Sequence, residues 1–140
     1  MNNAPILIVD DDMDDRQLLL AAWEELNLPH PLVFFENGEK VLHYLKSEKI
    51  KPFLILCDVN LPKMNGFELK KKLIENPSIN NKSIPFIFWS TTASQSQIQK
   101  SYDLAGHGFF IKEHSFEELK QSLIQIVNYW TKSKTPEISF

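Results

Sequence analysis

Four apolar runs in this 140-residue chain end on residues equipped for polar chemistry. Ile6 to Val9 leads into Asp10, Asp11 and Asp12, and Phe53 to Cys57 leads into Asp58. Phe86 to Trp89 leads into Ser90 and Thr91, and Gly108 to Ile111 into Lys112. An acid at the end of an apolar run is costly to bury alone. If these residues meet, two carboxylates about 4 Å apart at an effective dielectric of about 20 repel by about 4 kcal/mol, so the group demands a cation. A few hard oxygen donors suit Mg2+, which keeps several waters and often shares its shell with phosphate oxygens. Lys112 adds a fixed positive charge, and the Ser90 hydroxyl can donate to an anion oxygen. Together they describe a phosphoryl site in which Asp58 is the natural nucleophile, its charge offset by a metal and a lysine.

Those residues need rigid elements to bring them together. The runs Pro5 to Val9, Leu32 to Phe35, Phe53 to Cys57, Phe86 to Trp89 and Gly108 to Ile111 read as buried strands. Between them, helical periodicity covers Asp15 to Leu26, Gly38 to Lys46, Gly66 to Glu75, Ser94 to Ala105 and Phe116 to Trp130. Five β-α units in alternation predict an α/β fold, a parallel sheet with helices on both faces. In open sheets of this kind the ligand site lies beyond the carboxyl ends of the strands, where all the residues named above fall.

With 43% hydrophobic residues the chain can fill one core. A formal charge of -3 argues against broad attraction to nucleic acid and gives no support to an anionic membrane partner. Its single cysteine, Cys57, excludes an internal disulfide, and no apolar stretch is of spanning length. The N-terminal segment meets acids too early for a signal peptide, so a cytoplasmic location is expected.

At this point the residues resemble a family. ILIVDDD at Ile6 to Asp12, CDVNLPKMNG at Cys57 to Gly66, PFIFWST at Pro85 to Thr91 and GFFIK at Gly108 to Lys112 match, in order and spacing, the response-regulator receiver domain of two-component signalling. The resemblance implies a flavodoxin-like, doubly wound five-stranded parallel sheet in the order 2-1-3-4-5 with five helices. It places the receiver domain at 4–131 and a tail at 132–140. It implies that Asp58 is phosphorylated by a histidine kinase or phosphotransfer protein, and that Mg2+ is held by Asp10, Asp11, Asp58 and the backbone carbonyl of Asn60. Asp10 would act on the metal through water. Ser90 and Lys112 would meet the phosphoryl oxygens, the Thr91 amide would add a hydrogen bond, and Asn60 and Thr92 would tune phosphate lifetime. The implied protein is a phosphoacceptor switch and not an enzyme in the ordinary sense, though it would catalyse its own phosphorylation from small donors and its own dephosphorylation. Output would pass by surface contact, across the fourth helix, fifth strand and fifth helix, to a target protein or a second copy of the chain in a homodimer.

The sequence departs from the family pattern in two places. Glu113 stands where the family usually has proline, and Phe109 where a tyrosine often lies. A cis bond before glutamate costs about 2.5–4 kcal/mol against about 0.5–1 before proline, so a trans Lys112–Glu113 bond is expected. DDDMDDR at Asp10 to Arg16, Ser90-Thr91, Lys112-Glu113 and Tyr129-Trp130 are similar to stand-alone receivers paired with phytochrome kinases.

Several residues carry plainer readings. Asp14 and Asp15 read as helix caps, and Lys63, Lys70, Lys71 and Lys72 as a solvated face. The four histidines lack ligand spacing, and Pro62 and Gly66 read as loop formers. Two rival functions remain at this stage: a haloacid-dehalogenase-like phosphatase using Asp10 as nucleophile, and an interaction module that needs no phosphate.

Overall fold

The computed structural model describes residues 4–47, 51–79 and 83–136. Ten elements alternate along the chain: β1 (Ile6–Val9), α1 (Met13–Leu26), β2 (Leu32–Phe35), α2 (Gly38–Ser47), β3 (Leu54–Asp58), α3 (Gly66–Ile74), β4 (Phe86–Ser90), α4 (Gln95–Asp103), β5 (Gly108–Ile111) and α5 (Phe116–Lys132). The strands form one parallel sheet in the order β2-β1-β3-β4-β5. This is the architecture and strand order expected from the sequence, with element ends displaced by a residue or two. Of the expected tail, residues 137–140 lie outside the described residues.

Parallel strands buried on both faces need apolar residues at every position, and β1 and β3 have them until the last residue of β3. Alternate side chains go to opposite faces. Leu7, Val9, Ile55, Cys57, Phe86 and Phe88 face α2 and α3, packing on Val41, Leu45, Phe67, Leu69 and Leu73. Ile6, Ile8, Leu54, Leu56, Ile87 and Trp89 face α1 and α5, packing on Leu19, Ala22, Trp23, Leu119, Leu123, Ile126 and Val127.

Local chemistry fixes where the helices begin. Asp12 caps α1, accepting from the amides of Asp14 and Asp15. Capping boxes open α3 (Asn65 with Glu68) and α4 (Ser94 with Gln97), and Ser115 caps α5. Two histidines play structural parts: His30 stacks on Phe53, and His107 Nδ1 accepts the Phe86 amide at the turn into β5. No cis peptide bond occurs among the described residues, so the Lys112–Glu113 bond is trans as expected.

Candidate functional site

The register aligns Val9 with Cys57 and Asp58 with Trp89, so β1 and β3 deliver their following acids to the same edge of the sheet. Asp10 sits one residue past β1, its amide donating to the Phe35 carbonyl at 3.0 Å. Asp58 closes β3, and the Val59 amide continues the ladder to the Trp89 carbonyl at 3.0 Å. Both acids are buried, Asp10 to 4% exposure and Asp58 to 5%. Lys112 arrives from the far edge, its amide bonded to the Ser90 carbonyl at 2.7 Å, and its side chain runs back over the strand ends. The ammonium donates to Asp10 Oδ2 at 2.9 Å, Asp58 Oδ2 at 2.8 Å and Asp15 Oδ2 at 2.6 Å.

Each buried carboxylate also takes one backbone donor. Asp10 Oδ1 accepts the Asp12 amide and Asp58 Oδ1 the Asn60 amide, both at 2.9 Å. These bonds tie the two loops to the acids they carry. The β3–α3 loop is tight: Lys63 is left-handed (φ 65°), and the Gly66 amide bonds the Val59 carbonyl at 2.9 Å. Gly66 has no positive φ; what it supplies is space, because a Cβ there would stand 2.6 Å from the Asp58 carbonyl oxygen.

The structure thus joins Asp10, Asp58 and Lys112, and it adds Asp15, which is not the expected helix cap. Asp12 holds the cap position, and that sets the phase of α1. Asp15 then lies on the stripe of Leu19 and Ala22, four and seven residues on, which faces the sheet. That i, i+4, i+7 alignment was the available signal. Among the described residues, Asp10, Asp15 and Asp58 are the carboxylates with oxygens mutually within 4.8 Å. Asp11 is exposed beside this trio. Ser90 is fully buried, its Oγ accepting the Thr92 amide at 3.3 Å, while Thr91 and Asn60 are exposed at the rim.

The family model of the response regulator receiver domain matches residues 6–124. The chain belongs to this family. It is 27% identical over 129 residues to the probable methanogenesis regulatory protein FilR2 of Methanothrix harundinacea, covering 89% of this chain and 82% of that protein. It is 26% identical over 135 residues to the response regulator Rcp1 of a Synechocystis strain, covering 93% and 90% of the two chains. A Mn2+-bound form of Rcp1 has been solved; at 24% identity and a TM-score of 0.80, over 96% of this chain and 99% of that one, it bears on the fold alone. The phosphorylated cyanobacterial phytochrome response regulator RcpA superposes with a TM-score of 0.84 at 28% identity, over 97% of this chain and all of that one. Two-component receivers of the phytochrome-associated kind are therefore this domain's relatives, as the sequence suggested. No described helix is long and apolar enough to cross a membrane.

In this receiver domain the electrostatics of the site follow from burial. Desolvation pushes the Asp10 carboxyl up to about 6, although the bond from Lys112 and the Asp12 amide pull the other way. Burial alone would lower the Lys112 ammonium, but the bonds to Asp15, Asp58 and Asp10 outweigh it and raise it above the ordinary lysine range. Folded Asp10 thus holds its proton more tightly than an unfolded aspartate at 3.8. Between those two pH values folding takes up a proton, so Asp10 makes the protein more stable as pH falls from about 6 towards 4, by on the order of 2 kcal/mol. Urea unfolding in EDTA across that range should show this slope in the wild type and its loss in Asp10→Asn. Parallel pH profiles for the two proteins would refute it.

Proposed function

We propose that this protein is a single-domain response regulator, with its receiver unit at 4–131, that accepts a phosphoryl group on Asp58 from a histidine kinase or phosphotransfer protein. The observation that carries this reading is the buried Asp58 carboxylate at the end of β3, 2.8 Å from Lys112 and gathered with Asp10. An Asp58 carboxylate oxygen attacks phosphorus, the bond to the donor's leaving group breaks, and that group departs with the electron pair. Lys112 then meets the phosphoryl oxygens. Ser90 and the Thr91 amide offer further donors at the end of β4.

The donor set fits a hard divalent cation: the buried Asp10 and Asp58 carboxylates are gathered at one strand edge, with the exposed Asp11 beside them. Asp10, Asp11, Asp58 and the Asn60 carbonyl would hold Mg2+, which would offset the charge of the phosphoryl oxygens. The chain's own contribution is position: a strand end for Asp58, a second strand end for Asp10, and a lysine held at the mouth.

The signal then leaves through the surface of α4, β5 and α5, which meets a cytoplasmic target protein or a second copy of the chain. Apart from its own phosphorylation and dephosphorylation, no turnover is assigned to it. Incubation with acetyl phosphate and Mg2+ followed by peptide mapping should place the phosphate on Asp58, and Asp58→Asn should take none. Phosphate on Asp10 would indicate phosphatase-type chemistry and overturn the reading.

A further inference from the structure

We infer that Asp15 is a positioning residue for Lys112, the carboxylate that keeps its ammonium at the mouth of the site throughout the phosphorylation cycle; this rests on Asp58 being the phosphoacceptor. The three acids around Lys112 are not equivalent. Asp10 and Asp58 follow strands, are buried, and each already accepts a backbone amide with its other oxygen. Asp15 belongs to α1, its side chain is 37% exposed, and its bond to the ammonium, at 2.6 Å, is the shortest of the three. Its own backbone is fixed, because the Asp15 amide donates to the capping Asp12 carboxylate at 3.2 Å.

Phosphoryl transfer makes the Asp58 carboxylate a mixed anhydride and so removes the carboxylate charge that Lys112 faces. A divalent cation in the site would draw on the charge of Asp10. Neither event consumes Asp15, which remains as the fixed counter-charge for a side chain that is otherwise a flexible four-carbon stem on an edge strand. The ammonium is then held between Asp15 and the incoming phosphoryl oxygens. Without Asp15 it would settle on Asp10 and Asp58, against the acceptor and in competition with the cation.

The test compares Asp15→Asn and Asp15→Glu with the wild-type chain by two readouts. The first is solvent exchange of the 15N-labelled Lys112 ammonium by NMR, in EDTA and again with Mg2+ and beryllium fluoride. The second is phosphorylation from acetyl phosphate at Mg2+ that saturates the wild type, and again at tenfold more. Asp15→Asn should exchange the ammonium about tenfold faster in both states and lower the maximal rate about tenfold, the usual scale for losing an orienting partner. The half-saturating acetyl phosphate concentration should stay within about twofold of wild type, and Asp15→Glu should restore both readouts to within about threefold. Unchanged exchange and rate in Asp15→Asn would overturn the inference. So would a rate deficit that disappears at higher Mg2+, which would make Asp15 a cation ligand. If Asp15→Asn does not fold by circular dichroism, Asp15→Ser carries the same expectations. The exchange measurement in EDTA needs no phosphate, so a wild-type protein that is not phosphorylated on Asp58 would fail the functional reading while this contact is still tested.

Discussion

Lys112→Met should lower the melting temperature in EDTA by about 10 °C and slow phosphorylation of Asp58 about 100-fold. Lys112 is 7% exposed, and its ammonium bridges three carboxylates. Methionine matches its stem but leaves those charges facing one another, and removing one partner of a buried ionic group costs about 3–5 kcal/mol. We expect the lower end, about 3 kcal/mol, because Asp10 can take up a proton in response and Asp15 reaches solvent. Mg2+ should then stabilise the variant more than the wild type, since the cation no longer competes with a tethered ammonium. Thermal melts with and without Mg2+ decide the matter. A variant melting within about 2 °C of wild type in EDTA would show that the lysine does not hold these acids together.

Gly66→Ala should destabilise the protein by about 2–3 kcal/mol and displace Asp58. The new Cβ would lie 2.6 Å from the Asp58 carbonyl oxygen and 3.1 Å from the Val59 Cα, both backbone atoms of the strand end that carries Asp58. Neither can rotate away, so either β3 or the start of α3 has to shift. The gain of up to about 1 kcal/mol from replacing a helical glycine is too small to offset this. Gly38→Ala is the matched control: its Cβ would meet Met64 Sδ at 2.9 Å, in a flexible side chain that can swing aside. Urea unfolding of both variants should show Gly66→Ala losing several times more stability than Gly38→Ala. Equal losses would mean that the close approach of α3 to Asp58 is not tight.

Most of the fold was legible because parallel strands leave an unusually plain trace. ILIV, FLILC and FIFW are apolar at every position, and the residues after them are forced to one edge by topology alone. Asp10, Asp58 and Lys112 could therefore be picked out by their place in the sequence, and the contacts among them follow. Asp15 was harder. DDDMDD offers five acids around a helix start, and which of them turns inward depends on which one caps the helix, a choice settled by φ and ψ at Asp12 and not by residue type. The part played by Gly66 was hidden for another reason. Glycine after a loop suggests an unusual backbone angle, whereas here it answers the distance between α3 and Asp58, which no local pattern encodes.

The bond between Lys112 and Asp10 joins residues 102 positions apart, and that between Lys112 and Asp58 joins residues 54 apart. During synthesis the acids therefore leave the ribosome seconds before the lysine that neutralises them, at elongation rates of about 5–20 residues per second. Until residue 112 clears the exit tunnel, a nascent chain carries Asp58 and Asp10 without the lysine that bridges them in the folded protein. On the proposed function, half-made copies would offer a kinase no assembled site, and the signal would report only on finished molecules.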